Sequence, residues 1–315
     1  MAKMELHNGN LVAGWKLANR AYQIQPENPE DIASLARTLV LLGELEKAER
    51  LLLEGLEIAE NNANLQGAYW FVLLVSRRYE EAEAIVREKI DEMGEDIPDM
   101  IRRQFDSQLG LLAVIRGDFA TARQHLAAAM GDENDPAWSG EQTKLVTLAA
   151  LAYERTGDVE TAQSLLQRAE RSIRRARLNG VDDQGIYYSE SVLLSMKDDV
   201  PGALEKLQLA YDKGFRERWV FEIDGRLDPL REEQDFQVVQ QQIIDDLCAG
   251  LQHREAAHID HNRAHAISWA MQSAAADDIV LIAGKGHETV QIIGTKAVPF
   301  SDRERVRAIA RDWTR

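Results

Sequence analysis

Residues 42–56 read LGELEKAERLLLEGL, and a pattern of the same kind returns at residues 76–90, 116–130, 156–170 and 197–211. Each copy has an alanine at the same register, and these alanines are Ala48, Ala82, Ala122, Ala162 and Ala203. Gly14 stands one such interval before Ala48. A period of roughly 34 to 41 residues lies in the range of repeat architectures, in which each unit is one supersecondary element.

Large residues surround each alanine at fixed distances. The residue three positions before it is apolar or aromatic, as in Leu45, Tyr79, Phe119, Val159 and Val200. The residue four positions after it is a large aliphatic, as in Leu52, Val86, Leu126, Leu166 and Leu207. The half of each unit before the turn also has helical apolar spacing, as at Ile32, Leu35 and Leu39. We therefore expect two helices in each unit, with the small residue where their axes come close.

These residues resemble the tetratricopeptide repeat (TPR) over about residues 10–215. The resemblance implies a mainly α fold, a TPR-like α-α superhelix (solenoid), with the extra residues of the longer units in inter-helix segments. Residues 216–250 resemble the C-terminal cap of repeat arrays attached to bacterial regulatory proteins, so the array is expected to occupy residues 1–250, with the cap from about residue 216. An unrelated all-helical bundle would share the helical periodicity and stays open as an alternative.

Composition and charge limit the classes of function. Residues 1–257 carry a formal charge of −17 and residues 258–315 carry +1, which predicts two unlike parts joined by a linker at residues 251–257. Such acidity argues against nucleic acid or an anionic membrane as the partner, because a phosphate binder needs a basic face. No apolar run approaches the roughly 18 residues of a membrane span. The first twenty residues lack a secretory signal, and the one cysteine, Cys248, fits the reducing cytoplasm.

A TPR resemblance also implies a binding groove on the concave side, lined by the first helix of each unit. Carried over to this sequence, the groove positions are Arg37, Phe71, Leu74, Leu111, Leu151, Tyr188 and Val192. They are mostly apolar, so we expect an apolar or helical partner segment rather than a charged chain terminus. The alternative is that these side chains merely pack against the rest of the superhelix.

Two polar clusters are candidate ligand sites. Arginines at positions 168, 171, 174, 175 and 177 form a basic run near a helix C-terminus, where cations complement the helix dipole. A solvated helix end is therefore favoured over an anion site. His258, His261 and His265 could share one helical face, but no further ligand stands beside them at helical spacing except Asp260, so no metal site is predicted.

Residues 258–315 have a different texture and predict a small α/β fragment of the order helix, strand, hairpin, helix. Apolar residues Ile279 to Ile282 have the length and β-branched content of a buried parallel strand. A hairpin is expected in TVQIIGTKAVPF, residues 289–300, and Ser301 or Asp302 can cap a final helix. Strand pairing between two chains, and hence a homodimer, is one way to cover the exposed strand edges. The others are folding back against the repeats, or a poorly ordered tail.

The motifs DDIVLIAGKGHE and PFSDRE in this part resemble the extreme C-terminus of the MurE-type muramyl-tripeptide synthetases, which are ATP-dependent amino-acid ligases of peptidoglycan synthesis. The resemblance implies that Gly284 and Glu288 contact the incoming diamino acid. The chain has no G-x-x-x-x-G-K-[ST] loop for ATP phosphates, so catalysis by this chain alone is not expected, and no catalytic residue and no cofactor are predicted. ATP and magnesium would be needed only in a ligase.

The sequence therefore predicts a cytoplasmic scaffold that binds a protein or peptide partner and carries a non-catalytic, ligase-like tail. A diamino-acid-adding ligase, or a subunit or fragment of one, is the first alternative. A regulatory TPR module of a transcriptional or signalling protein is the second.

Overall fold

The computed structural model describes residues 2–130, 141–248, 258, 260, 262–275, 278–282, 289–293 and 296–313. The helices of the repeat region are α1 Ala2–His7, α2 Leu11–Ile24, α3 Pro29–Leu41, α4 Leu45–Ile58, α5 Ala63–Val75, α6 Tyr79–Met93, α7 Asp99–Ile115, α8 Phe119–Ala129, α9 Glu141–Arg155, α10 Val159–Leu178, α11 Gln184–Ser195 and α12 Val200–Asp212. After them come α13 Val220–Ile223, a 3-10 turn Gly225–Leu230 and α14 Gln234–Cys248. The C-terminal part has α15 Arg263–Ser273, β1 Val290–Ile293, β2 Lys296–Pro299 and α16 Asp302–Trp313.

Consecutive helices pair as the sequence predicts: α3 with α4, α7 with α8, α9 with α10 and α11 with α12. The repeated alanines all lie in second helices and are almost completely buried. A side chain on Gly110 would place its Cβ 2.7 Å from Leu126, which shows how closely α7 and α8 approach. The prediction of a TPR-like superhelix is confirmed.

The turn inside each repeat has the same backbone structure in five copies. After the first helix comes a residue with positive φ, which is Gly43, Arg77, Gly117, Gly157 or Asp198. In each case its N–H and the next N–H donate to carbonyls of the preceding helix, in the pattern of a Schellman motif. In the last three copies an aspartate then caps the second helix, as Asp158 does by accepting from the Thr161 N–H at 3.2 Å. Local sequence therefore sets where each helix ends and the next begins.

The C-terminal part agrees with the sequence in its hairpin and its last helix. Strands β1 and β2 pair antiparallel, with Val290 opposite Pro299 and Ile293 opposite Lys296. Ser301 caps α16 by accepting the Glu304 N–H at 3.4 Å, while Asp302 instead forms a two-pronged ion pair with Arg263 at 2.7 and 2.8 Å. Ile267, Met271 and Ile309 form a small buried cluster between α15 and α16.

The predicted buried strand at Ile279–Ile282 is wrong. These residues have no strand structure, and Ile279 and Leu281 are 94% and 87% exposed. Within the described residues, the only strand pair is the hairpin, so no strand lies on either side of this segment. A parallel strand needs such neighbours to satisfy its backbone and cover its side chains.

Candidate functional site

The predicted groove positions lie in three different environments. Leu74, Tyr188 and Val192 are buried against a segment of the same chain, residues 216–231, which we call the closing segment. Leu151 is also buried, in the cluster of α9 with its neighbouring helices. Phe71 and Leu111 are half-buried, and Arg37 is exposed. The structure thus brings part of the predicted row together, but the chain itself covers that part.

The outer half of the closing segment, which ends at Ile223, contacts helices α5 and α7. The Trp219 ring packs edge-on against Phe71, with 5.6 Å between ring centroids and an interplanar angle of 78°. The Glu222 carboxylate accepts a hydrogen bond from Arg77, which lies in the turn after α5. Ile223 is buried in one apolar cluster with Leu73, Leu74, Leu112 and Ile115. The closing segment thereby lies against first helices from a much earlier part of the chain.

The inner half of the closing segment, which begins at Asp224, contains a buried ion pair. Arg226 donates to Asp224 through Nε at 2.9 Å and through Nη2 at 2.6 Å, and both side chains are 6% exposed. The Tyr188 hydroxyl of α11 donates to the second Asp224 oxygen at 2.5 Å. Arg226 Nη1 donates to the Thr147 hydroxyl at 2.7 Å and to the Lys144 carbonyl at 3.1 Å, both on α9. Each charge is therefore both paired and hydrogen-bonded to a helix of the repeat array.

This network determines the protonation of its members. Burial opposes ionisation of Asp224, but the Arg226 charge and the hydrogen bonds outweigh it and lower the pKa of this carboxyl below its ordinary value. Burial, together with the Asp224 charge, raises the pKa of Tyr188 well above its ordinary value. Tyr188 therefore stays a neutral hydrogen-bond donor, and Asp224 stays an anion down to acidic pH.

Further hydrogen bonds hold the closing segment in shape. The Ser195 hydroxyl donates to the Arg226 carbonyl at 2.9 Å. Arg231 donates to the Asp228 carboxylate at 2.8 Å, to the Asp224 carbonyl at 3.0 Å and to the Phe221 carbonyl. Behind it, Phe221, Leu227 and Leu230 are buried with Phe215 and Phe236 in the cluster that ends the array. The buried side of the closing segment is thus apolar, and hydrogen bonds from its own arginines connect its turns.

Sequence reasoning missed Asp224 and Arg226 as members of this site. The signal that could have found them is FEIDGRLDPL, residues 221–230, where an aspartate and an arginine stand two apart among large apolar residues. Charged residues inside an apolar run are buried only when they are paired, and this spacing allows them to pair with each other.

The two ends of the array also touch. Gly9, in the turn between α1 and α2, lies so close to Gly214 that a Cβ on Gly9 would be 2.8 Å from the Gly214 Cα. The His7 ring lies 4.0 Å from Asp183 and 3.5 Å from the Gln184 amide. Helix α1 and the turn after it therefore pack against the last repeat, next to the start of the closing segment.

The described members of the two polar clusters make different contacts. Arg177 pairs with Glu190 at 2.9 Å and lies over the Tyr187 ring at 4.2 Å, whereas Arg174 and Arg175 are exposed. His258 stacks on Trp269 at 3.9 Å, and His261 lies outside the described residues. In the described part of the chain, no group of three or more potential ligands could hold a metal ion. In that same part, no helix is long and apolar enough to cross a membrane.

The ligase-like positions Gly284 and Glu288 also lie outside the described residues. Before them, α15 and α16 border an open cleft of about 640 Å³. The cleft is lined by Met271, Gln272, Ala274, Ala275, Asp278, Val280, Ile282 and Val306. Exposed Ile279 and Leu281 adjoin it, so this side of the C-terminal part presents uncovered apolar surface.

Comparison with known proteins separates the two parts of the chain. No family model matches it. It is 50% identical over 64 residues to the UDP-N-acetylmuramoyl-L-alanyl-D-glutamate–2,6-diaminopimelate ligase of Vibrio cholerae serotype O1, which is 20% of this chain and 13% of the ligase. The ligase of the same description from Synechococcus sp. is 47% identical over 72 residues, 23% of this chain and 14% of the ligase. The chain thus spans about one seventh of the length of these relatives.

Several solved structures are similar to this chain. They include a MamA variant (TM-score 0.41, 17% identity, 55% of this chain and 91% of that one) and the PilF protein of Pseudomonas aeruginosa (0.40, 16%, 72% and 95%). A third, YrrB, is described as a TPR protein with an unusual peptide-binding site (0.36, 17%, 71% and 97%).

Proposed function

We propose that this protein is a TPR-type scaffold that binds a protein or peptide partner through the concave side of its repeat array. The observation that supports this proposal is the seating of the closing segment. A short segment of helical turns, whose apolar side chains are buried, lies across α5, α7, α9 and α11, with its polar groups bonded to them at defined positions. A face built in this way holds a peptide segment by the same contacts that a separate partner would use.

The proposed contact surface is the part of the predicted row that stays accessible, which is Arg37, Phe71 and Leu111. A formal charge of −16 favours a basic or neutral partner over nucleic acid. A cytoplasmic location belongs to the same proposal and rests on the single cysteine.

A photo-crosslinking amino acid at position 71 tests this function in the native cell. The control carries the same group at Leu53, which is exposed on the second helix α4. A protein partner that crosslinks from position 71 and not from position 53 supports the scaffold. Equal crosslinking from both positions, or crosslinking from neither, contradicts it.

A second candidate function is favoured by the 50% identity over 64 residues to a diaminopimelate ligase. In this proposal the chain supplies the C-terminal segment of a diaminopimelate-adding ligase, while another chain binds ATP and magnesium. The uncovered surface at Ile279, Leu281 and the adjoining cleft is where that chain would pack.

Mixing the full chain with a diaminopimelate ligase that lacks its own matching C-terminal segment tests this second function. Diaminopimelate-dependent ATP hydrolysis that needs both chains and is lost in Glu288→Ala supports it. The control is Glu304→Ala, in which the substitution lies on α16. Absence of hydrolysis from the mixture removes this candidate.

A further inference from the structure

The closing segment differs from the helix pairs of the array in both its structure and its contacts. It has only one turn of α-helix and one 3-10 turn, so it is not another helix pair of the array. Its residues instead contact one first helix after another, as a bound peptide would. The α5 side receives Trp219 and Ile223, and the α9 and α11 side receives Asp224 and Arg226.

The charges of the Asp224–Arg226 pair both come from the closing segment, whereas in its outer half Glu222 pairs with Arg77 of the repeat array. The groups of the repeat array that bond to Asp224 and Arg226 are neutral: the Tyr188 and Thr147 hydroxyls, the Lys144 carbonyl and the Ser195 hydroxyl. A buried charge without a partner is strongly unfavourable. A segment that brought only an acid, or only a base, to this position would therefore leave that charge unpaired. A segment that brings both, two residues apart, satisfies all of these groups.

We propose that the closing segment is an intramolecular ligand of the concave face and that the partner of this face has the same chemistry. That chemistry is a short apolar helical turn with an aromatic residue, followed by an aspartate and an arginine that pair with each other. The inference rests on the proposed scaffold function and specifies its partner. The partner competes with the closing segment, which acts at the high effective concentration of a tethered ligand.

The test uses a fluorescent synthetic peptide with the sequence of residues 217–231 and the full chain as its binding protein. The variant Ile223→Ala loosens the closing segment, because Ile223 is buried against α5 and α7, and leaves the concave face intact. The control Val238→Ala removes an exposed side chain of α14. In fluorescence polarisation, we expect Ile223→Ala to bind the peptide at least about tenfold more tightly than the wild type and Val238→Ala do.

Peptide variants test the charge rule. The peptide with Arg226→Met is expected to bind the Ile223→Ala protein at least about tenfold more weakly, because its aspartate is then buried unpaired. Replacing the aspartate as well, with Asp224→Leu, restores part of the binding. A folded Ile223→Ala protein that takes no peptide, or that takes the Arg226→Met peptide equally well, overturns the proposal.

Hydrogen exchange of the wild type covers the case in which Ile223→Ala does not fold. Amides of residues 220–230 should exchange faster than those of α5 and α9, through an opening that leaves the repeats folded. Equal protection in all three regions overturns the proposal. Crosslinking from position 71 is independent of these results, so a partner found there without peptide binding leaves the scaffold standing and removes only the intramolecular ligand.

Discussion

The repeat array and the C-terminal part contain aliphatic residues of the same kind but treat them differently. Leu126 and Leu207, in second helices, are completely buried, whereas Leu281 is 87% exposed. Each repeat covers its neighbour, and the closing segment covers parts of the first helices α5, α7, α9 and α11, so the array can bury what its helices present. The segment around Leu281 has no neighbouring strand among the described residues. An apolar side chain is therefore buried only where the chain also supplies its cover.

The largest expected effect comes from the buried pair in the closing segment. Arg226→Met leaves Asp224 buried without its partner and should lower the free energy of unfolding by about 3–5 kcal/mol. Urea unfolding followed by circular dichroism measures it. The double variant Asp224→Leu, Arg226→Met should recover most of the loss, since apolar residues can replace a buried pair. A loss below about 1 kcal/mol in the single variant would mean that this pair is hydrated in solution.

The close approach of helices within a repeat gives the next effect. Gly110→Ala places a methyl group 2.7 Å from Leu126 and should destabilise the protein by about 1–3 kcal/mol through overpacking. Gly67→Ala is the matched control, because it lies in a first helix with nothing within 4 Å of its added Cβ. That control should stabilise the protein by about 0.5–1 kcal/mol. Equal thermal shifts of the two variants would argue against tight packing at this crossing.

The repeated turn gives a smaller effect of the opposite sign. Asp198 has a φ of 59°, at the position where three other repeats have glycine. Asp198→Gly removes the strain of this conformation and should raise the free energy of unfolding by about 0.5–1 kcal/mol. At the equivalent position, Gly157→Ala should lower it by a similar amount, since its φ is 86° with free space around it. Calorimetry measures the unfolding of both variants. Changes of the same sign in the free energy of unfolding would show that the two turns are not equivalent.

The smallest effect is expected in the C-terminal part. Leu281→Ala should change the free energy of unfolding of the array by less than about 0.5 kcal/mol, because an exposed side chain loses no packing. Leu126→Ala, the same substitution in the array, should cost about 2–5 kcal/mol. A large effect of Leu281→Ala in the isolated chain would show that this surface is covered in solution, as strand pairing between two chains would cover it. Sedimentation velocity would then detect the dimer.

Much of the array could be predicted from the sequence, because local rules repeat. The alanine register predicts the helix crossings, and the glycine or polar residue after each first helix marks its turn. The groove was harder to predict. Phe71 and Tyr188 are both first-helix residues in rows predicted to line the groove, but Phe71 packs on Trp219 and Tyr188 bonds to Asp224. A pattern within one repeat contains no information about a segment that arrives from elsewhere in the chain.

Local sequence was sufficient to specify where the helices begin and end, which residues cross within a repeat, and which part of the chain is ligase-like. The first two features depend on contacts within one repeat or between adjacent repeats, so their periodicity is visible in one chain, and the ligase-like part is marked by contiguous motifs. Tertiary contacts were needed to show that residues 216–231 lie against the first helices α5, α7, α9 and α11 and that Asp224 and Arg226 are buried as a pair. They were also needed to show that Ile279–Ile282 form no strand. The physical reason is that burial of a residue depends on the element that packs against it. For residues 216–231 that element is distant in the chain, and for Ile279–Ile282 the described residues supply no neighbouring strand.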